Sequence, residues 1–272
     1  MADTHRRPAK TNGRHVACKN RIKSEGESKE ESEEESEGAD CHCWLIAERV
    51  SRAPFLPSAR KCPYMEVHHV TEDAETFTCN AYLVVGDRTT LVDAGAMDGV
   101  VDEIREHTDD LEAVVMTHQH GDHVAQLETV CDAFDPEVYA YDDHPTRTHE
   151  IDDGDTVRIG DEDFDVVYTP GHADDHVSFV SDSSLFSGDV VVHDDGAFEY
   201  GSFGRTDMAG QSRERLIESI QDLLERMPDG SQSAGVEHMY AGHGGVFHGD
   251  VRDVVTTALE RAEKREPKYP DE

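Results

Sequence analysis

The stretch VVMTHQHGDH, residues 114–123, sets His118, His120, Asp122 and His123 directly behind a run of apolar, β-favouring residues. A strand whose side chains alternate between faces cannot use these groups for its core, and a helix here would lack an apolar stripe. Metal binding is the chemistry that such a grouping suits. His118 and His120 are two apart, so at a strand end both rings point the same way and can share one ion. Asp122 and His123 follow at the turn into a helix, within reach of a second ion. Zinc accepts imidazole nitrogen and carboxylate oxygen at about 2.0–2.2 Å, and paired sites about 3.5–4 Å apart suit hydrolysis.

Two ions need more ligands than these four. Three further segments each end a predicted strand with a ligand type beside glycine: YTPGH with His172, LFSGD with Asp189 and YAGHGG with His243. Glycine there permits tight turns that bring the backbone close to an ion. The series LVDAG, THQHGDH, TPGH, LFSGD and AGHGG, in this order, resembles the metallo-β-lactamase-fold hydrolases, over about residues 65–264. The resemblance implies an α/β (α+β) fold, an αββα sandwich of two mixed β-sheets flanked by helices, with two Zn2+ per chain at one edge. It implies that His118, His120 and His172 hold one ion, that Asp122, His123 and His243 hold the other, and that Asp189 bridges both. Asp93 of LVDAG would stand behind the ligands and fix their orientation by hydrogen bonds; an aspartate before Ala-Gly is also a good turn former. Asp122 would in addition orient the attacking water and take its proton.

The segment FGRTDMAG, residues 203–210, is similar to the Gly-Arg-Thr-Asp segment of glyoxalase II-like thioesterases and persulfide dioxygenases. Arg205 and Asp207 are expected to form a structural ion pair or hydrogen-bond network under the site. Only 29 residues follow His243, so the chain resembles the compact glyoxalase II-like branch rather than the long form with its basic C-terminal domain. The implied function is a dinuclear zinc-dependent hydrolase of small acyl thioesters. Two alternatives stay open: a persulfide dioxygenase-like oxidoreductase with one Fe2+ held by two histidines and an aspartate, and a lactonase of the same fold. The complete second set, Asp122, His123 and His243, favours the hydrolase over the dioxygenase and over a non-catalytic scaffold. His176, His193 and the His68–His69 pair stand in no motif and are expected to be exposed polar residues, with lining of the pocket mouth the alternative for His176 or His193. Phe198 and Tyr200 fit either a pocket wall or simple packing.

The formal charge of the 272 residues is −35, and it is unevenly spread. Residues 65–272 carry 13 Lys and Arg against 49 Asp and Glu, whereas residues 1–64 are nearly balanced. Such a body repels nucleic acid and anionic membranes, which leaves a small molecule as the expected partner. A carboxylate coat almost free of lysine keeps a protein hydrated in concentrated salt, where charge repulsion is screened within about 3 Å. A salt-adapted cytoplasm is the expectation, supported by the want of a signal-peptide pattern or a long apolar run. Six cysteines without zinc-finger spacing make a disulfide framework unexpected.

Residues 24–40, SEGESKEESEEESEGAD, hold no apolar side chain larger than alanine to bury and read as disordered. The domain division is therefore a low-complexity leader, 1–64, with translation expected to start at Met65, and a hydrolase domain, 65–272. Strands are expected at 81–85, 89–92, 112–116, 137–141, 155–158, 164–168, 177–180 and 184–187, and helices at 98–107, 122–134, 211–227 and 250–264. In the third helix Leu216, Ile217, Ile220, Leu223, Leu224 and Met227 form one apolar stripe.

Overall fold

The computed structural model describes residues 65–229 and 235–265. The acidic run 24–40, the expected leader and four of the cysteines lie outside the described residues.

Strands whose alternate side chains are both apolar must be covered on two faces, and the chain meets that demand with two six-stranded sheets packed face to face. The first runs in spatial order β1 (Glu66–His69), β2 (Tyr82–Val85), β3 (Thr90–Val92), β4 (Ala113–Val115), β5 (Glu137–Ala140) and β6 (His149–Glu150). Its first three strands are antiparallel and β3 to β6 are parallel. The second sheet has the order β14 (Phe247–His248), β13 (His238–Ala241), β10 (Ser184–Gly188), β9 (Val177–Val180), β8 (Glu162–Tyr168) and β7 (Thr156–Ile159), with β10 and β13 parallel and the rest antiparallel. A short ribbon joins β11 (Val191–Val192) to β12 (Ser202–Phe203).

The period of two sorts the side chains. Tyr82, Val84, Val92 and Val115 of the first sheet meet Phe164, Val166, Phe179, Phe186 and Tyr240 of the second in the central core. On the outer face of the first sheet, Leu83, Leu91 and Val114 pack with Val100 and Ile104 of α1 (Val100–His107) and Leu127 and Val130 of α3 (Leu127–Phe134). On the outer face of the second, Val167, Leu185 and Met239 pack with α4 (Arg213–Arg226) and α5 (Val251–Lys264). Three apolar layers between four layers of structure make the expected αββα sandwich. Leu216, Ile220, Leu223 and Met227 of the expected stripe are buried, and Ile217 and Leu224 pack at its margin.

The helix expected over 122–134 is two: α2 (Gly121–Val124) and α3. The break has a cause in hydrogen bonding. The His123 carbonyl, which a continuous helix would give to Leu127, accepts instead from the amides of Ala94 and Gly95 at 3.0 and 3.1 Å, and Gln126 N–H donates to Gly95 at 3.0 Å. The loop after β3 is thereby fastened to the segment that carries His123. Among the described residues, no helix is long and apolar enough to cross a membrane.

Candidate metal centre

Asp93 follows β3, His118 follows β4, His172 follows β8, Asp189 follows β10 and His243 follows β13. These strand ends open onto one edge of the sandwich, where the loops gather the ionisable groups of all five motifs. Donor atoms of His118, His120 and His172 lie within 4.8 Å of one another, as do those of Asp122, His123 and His243, and those of His118, His123 and Asp189.

The hydrogen bonds behind these rings decide where their lone pairs point. Asp93, 2% exposed and left-handed at φ 57°, takes a conformation that aspartate tolerates better than most residues. Its Oδ1 accepts from the Thr117 amide at 2.8 Å, and its Oδ2 accepts from the Thr117 hydroxyl at 2.7 Å and from His123 Nδ1 at 2.9 Å. With its proton committed to Asp93, the Thr117 oxygen accepts from His118 Nδ1 at 3.2 Å. The Arg205 carbonyl accepts from His172 Nδ1 at 3.1 Å. His118 and His172 thus carry their proton on the outer nitrogen and turn a bare Nε2 inward. Burial opposes a charged His123, but its neighbours Cys79, Asp93 and Asp189 hold it well above the usual histidine range, so a metal there would displace its inward proton.

The inward atoms crowd together. His118 Nε2 and His172 Nε2 each lie 3.0 Å from His120 Nδ1, so a single proton at most serves three nitrogens. A tetrahedral ion with Zn–N of about 2.0–2.1 Å would space such nitrogens about 3.4 Å apart, close to what is seen. His123 Nε2 and Asp189 Oδ1 are buried without hydrogen-bond partners, 3.5 Å apart; each such orphan costs about 1–3 kcal/mol unless something satisfies it. The other Asp189 oxygen is 3.3 Å from His172 Nε2 and 3.4 Å from His243 Nε2, and Asp122 Oδ2 is 3.1 Å from His243 Nε2. Bare nitrogens, orphaned buried atoms and a carboxylate facing both histidine groups fit a divalent transition-metal pair.

Charge follows the same division. Burial pushes His118 well below the usual histidine range and lowers His172. Burial opposes ionisation of Asp189, yet His123 and the hydrogen bond from His243 hold it well below the carboxylate range. Burial likewise opposes a charged His243, but hydrogen bonds to Asp122 and Asp189 raise it to about 9. Cys79 stands with Asp93 and His123, but burial pushes its thiol up to about 11, so at neutral pH it is an uncharged neighbour.

Close approach demands glycine at two places. A Cβ on Gly242 would fall 2.1 Å from Asp189 Oδ1, and one on Gly204 would fall 1.9 Å from the Asp189 carbonyl. The AGHGG and FGRTD segments are therefore pressed against Asp189 by the want of a side chain.

Several expectations need correction. His176 is fully buried, not exposed: its Nε2 accepts from the Asp189 amide at 3.0 Å and its Nδ1 meets the Thr169 hydroxyl at 2.8 Å. Burial keeps it neutral, as both bonds require. His193 is half-buried and stacks on Phe247 at 4.4 Å, and His68 stacks on His107 at 3.8 Å. Arg205 and Asp207 do form a bidentate pair, both contacts 3.0 Å, but it stands exposed at the rim; what lies under the site is the Arg205 carbonyl. Phe198 and Tyr200 pack against the α4–α5 core and do not line the cavity. Residues that sequence reasoning passed over are Thr117, Phe77 and Met208. Thr117 heads the THQHGDH motif itself, directly behind the apolar run of β4, which is the signal that marks it as buried.

The sequence profile of the Metallo-beta-lactamase superfamily matches residues 74–264. Hydroxyacylglutathione hydrolase of Vibrio cholerae serotype O1 is 37% identical over 146 residues, covering 52% of this chain and 54% of that protein. Hydroxyacylglutathione hydrolase of Francisella philomiragia is 38% identical over 118 residues, 41% of this chain and 47% of that protein. The matched stretch thus spans about half the length of these curated relatives. Among solved structures, ETHE1 from Myxococcus xanthus superimposes with a TM-score of 0.56 at 21% identity, covering 76% of this chain and 93% of that one. The BLEG-1 B3 metallo-beta-lactamase gives 0.54 at 22% identity, covering 75% and 100%; at such identities the likeness is one of fold. Profile, sandwich and the gathered histidine and aspartate motifs agree, and the chain belongs to the metallo-β-lactamase superfamily.

Proposed function

We propose that the protein is a dinuclear zinc-dependent hydrolase of small acyl thioesters, of the kind named by its hydroxyacylglutathione hydrolase relatives, working in a salt-rich cytoplasm. The observation that carries the reading is the pair of inward-turned donor sets sharing Asp189. His118, His120 and His172 would hold one ion, Asp122, His123 and His243 the other, and Asp189 both. Bound there, a pair of divalent ions supplies water acidified to a pKa of about 7 and a Lewis acid for the carbonyl oxygen.

The chain supplies orientation and proton handling. Asp93 and Thr117 lock the tautomers of His123 and His118, and the Arg205 carbonyl locks that of His172. His176 fixes the Asp189 backbone. Asp122 lines the cavity; burial opposes its ionisation, but the His243 hydrogen bond outweighs this and lowers its pKa. An ionised carboxylate there can orient the attacking water and take its proton as the tetrahedral centre forms.

A thioester also fits what the cavity lining offers a leaving group. Outside the proposed ligands, the cavity lining offers no Lys, Tyr, Cys or His among the described residues that could protonate an amine as it departs. A thiol with a pKa of about 8.5 departs as thiolate without that help. Metal analysis of protein purified without added metal, with thioester, lactone and phosphodiester cleavage assayed side by side in molar KCl, tests the reading. Two zinc ions per chain with fastest thioester cleavage is the expected result. One iron per chain with sulfur oxidation, or faster lactone cleavage, would replace it.

A further inference from the structure

Three large apolar side chains are exposed among the described residues, Phe77 at 79%, Met208 at 58% and Val246 at 37%. Phe77 and Met208 line the same cavity as His120, Asp122, His172 and His243, a space of about 820 Å³. On a surface otherwise crowded with carboxylates, two of three exposed apolar groups at the mouth of one pocket are a local feature.

Neither side chain is a loose loop tip. Just beyond Phe77, Thr78 Oγ1 accepts from the Ala96 amide at 2.7 Å, Cys79 N–H donates to the Asp122 carbonyl at 3.2 Å, and Asn80 donates to the carbonyls of Gly242, Ala241 and Gly244 at 2.7 to 2.9 Å. The Phe77 ring stacks over His243, centroids 5.3 Å apart and planes 18° from parallel. Met208 lies three residues beyond Arg205, whose carbonyl holds His172, and its own backbone is tied into a turn by Gln211. The Phe77 ring is thus held beside His243, and Met208 is carried on a backbone turn three residues past the Arg205 carbonyl that meets His172; both line the cavity and face water unless a ligand covers them.

We infer that Phe77 and Met208 form an apolar acyl subsite, which makes the favoured substrates thioesters with an unbranched hydrocarbon acyl chain of several carbons rather than acetyl or other minimal acyl groups. The inference rests on the thioesterase reading and deepens it. A carbonyl carbon reacting at the donor cluster would place its acyl chain in the part of the cavity that Phe77 and Met208 line. Elsewhere the lining carries Asp194, Asp195, Arg205 and Gln211 beside Val192 and five glycines, and its polar members suit the more polar thiol half.

Each methylene covered by such a wall contributes about 0.8 kcal/mol, a factor of about four in kcat/KM. The test is a ladder of N-acetylcysteamine thioesters from acetyl to hexanoyl, assayed on zinc-loaded full-length enzyme in molar KCl. A companion ladder keeps the acyl group as acetyl and lengthens an alkyl thiol. Binding of S-alkyl thioethers of N-acetylcysteamine, which cannot be hydrolysed, is followed by calorimetry as a readout independent of turnover. The acyl ladder and the thioether affinities should rise about three- to fourfold per methylene, and the slope should flatten in Met208→Ser and in Phe77→Ser. Metal content measured on both variants separates loss of the wall from disturbance of His243. A flat acyl ladder with measurable turnover overturns the subsite and leaves the thioesterase reading standing. A rise confined to the thiol ladder also overturns it. Absence of cleavage of every thioester, with zinc bound, overturns the thioesterase reading itself.

Discussion

Replacing Asp93 by Asn should convert His123, a proposed metal ligand, into a hydrogen-bond donor without disturbing the fold. Asparagine accepts the same left-handed backbone, φ 57°, and has nearly the same volume, so packing around this buried position is kept. What changes is the atom facing His123. Asp93 Oδ2 now accepts from both the Thr117 hydroxyl and His123 Nδ1. If the amide nitrogen takes that place, His123 must turn its proton to Nε2, the atom that lies 3.5 Å from Asp189 Oδ1, and its inward lone pair is lost. If the amide oxygen stays there, the nitrogen confronts the Thr117 amide, which now donates to Oδ1 at 2.8 Å. Either arrangement weakens the set formed by Asp122, His123 and His243. Loss of an orienting hydrogen bond of this kind costs about 10–100-fold in metal affinity, roughly 1.4–2.7 kcal/mol. Competition titration against a chromophoric zinc chelator reads the two sites apart: the weaker step should shift by that factor while the step assigned to His118, His120 and His172 moves less. Circular dichroism should show the fold unchanged. Two unshifted binding steps in a folded variant would refute the claim that Asp93 sets the His123 tautomer.

Asp122→Asn should retain most of its metal yet lose turnover by a factor of about 10²–10⁴, since an amide cannot accept the proton; unchanged kcat would remove Asp122 from proton transfer. In chelator-stripped protein, His243 titrates near 9 against 6.5 when unfolded, so its contribution, on the order of 3 kcal/mol, is fully present below pH 6.5 and is lost as pH rises through about 9. Zinc must displace that proton, so affinity should fall as pH falls and zinc binding near neutral pH should release protons, measured by calorimetry in buffers of different ionisation enthalpy; zero release would contradict the assignment. With a formal charge of −35, melting temperature and activity should rise from millimolar to molar KCl, as the Debye length shrinks from about 30 Å at 0.01 M to about 3 Å at 1 M. A peak in low salt would contradict salt adaptation.

The sandwich was legible in the sequence because its strands carry apolar residues on both faces and its helices carry stripes, as at Leu216 to Met227. The metal motifs were legible because ligand types recur beside glycine at strand ends. The two-residue strands β6, β11, β12 and β14 were not, since two residues show no period, and the four-residue strands β1 and β13 were not assigned either. The broken helix after His120 was hidden for another reason: the competing partner for the His123 carbonyl is a loop 28 residues earlier. His176 looked like a surface histidine because the atom it serves is a backbone amide, which leaves no mark in a pattern of side chains. Arg205 was noticed for its guanidinium, whereas the structure uses its carbonyl against His172.

The central claim is that hydrolysis requires both donor sets to be filled, and a zinc titration of stripped protein measures this most directly. Thiol release from an acyl thioester, followed in molar KCl as zinc is added, should reach its maximum at about two equivalents per chain, with little activity at the first. Full activity at one equivalent, or thioester cleavage unaffected by zinc at any occupancy, would contradict the account.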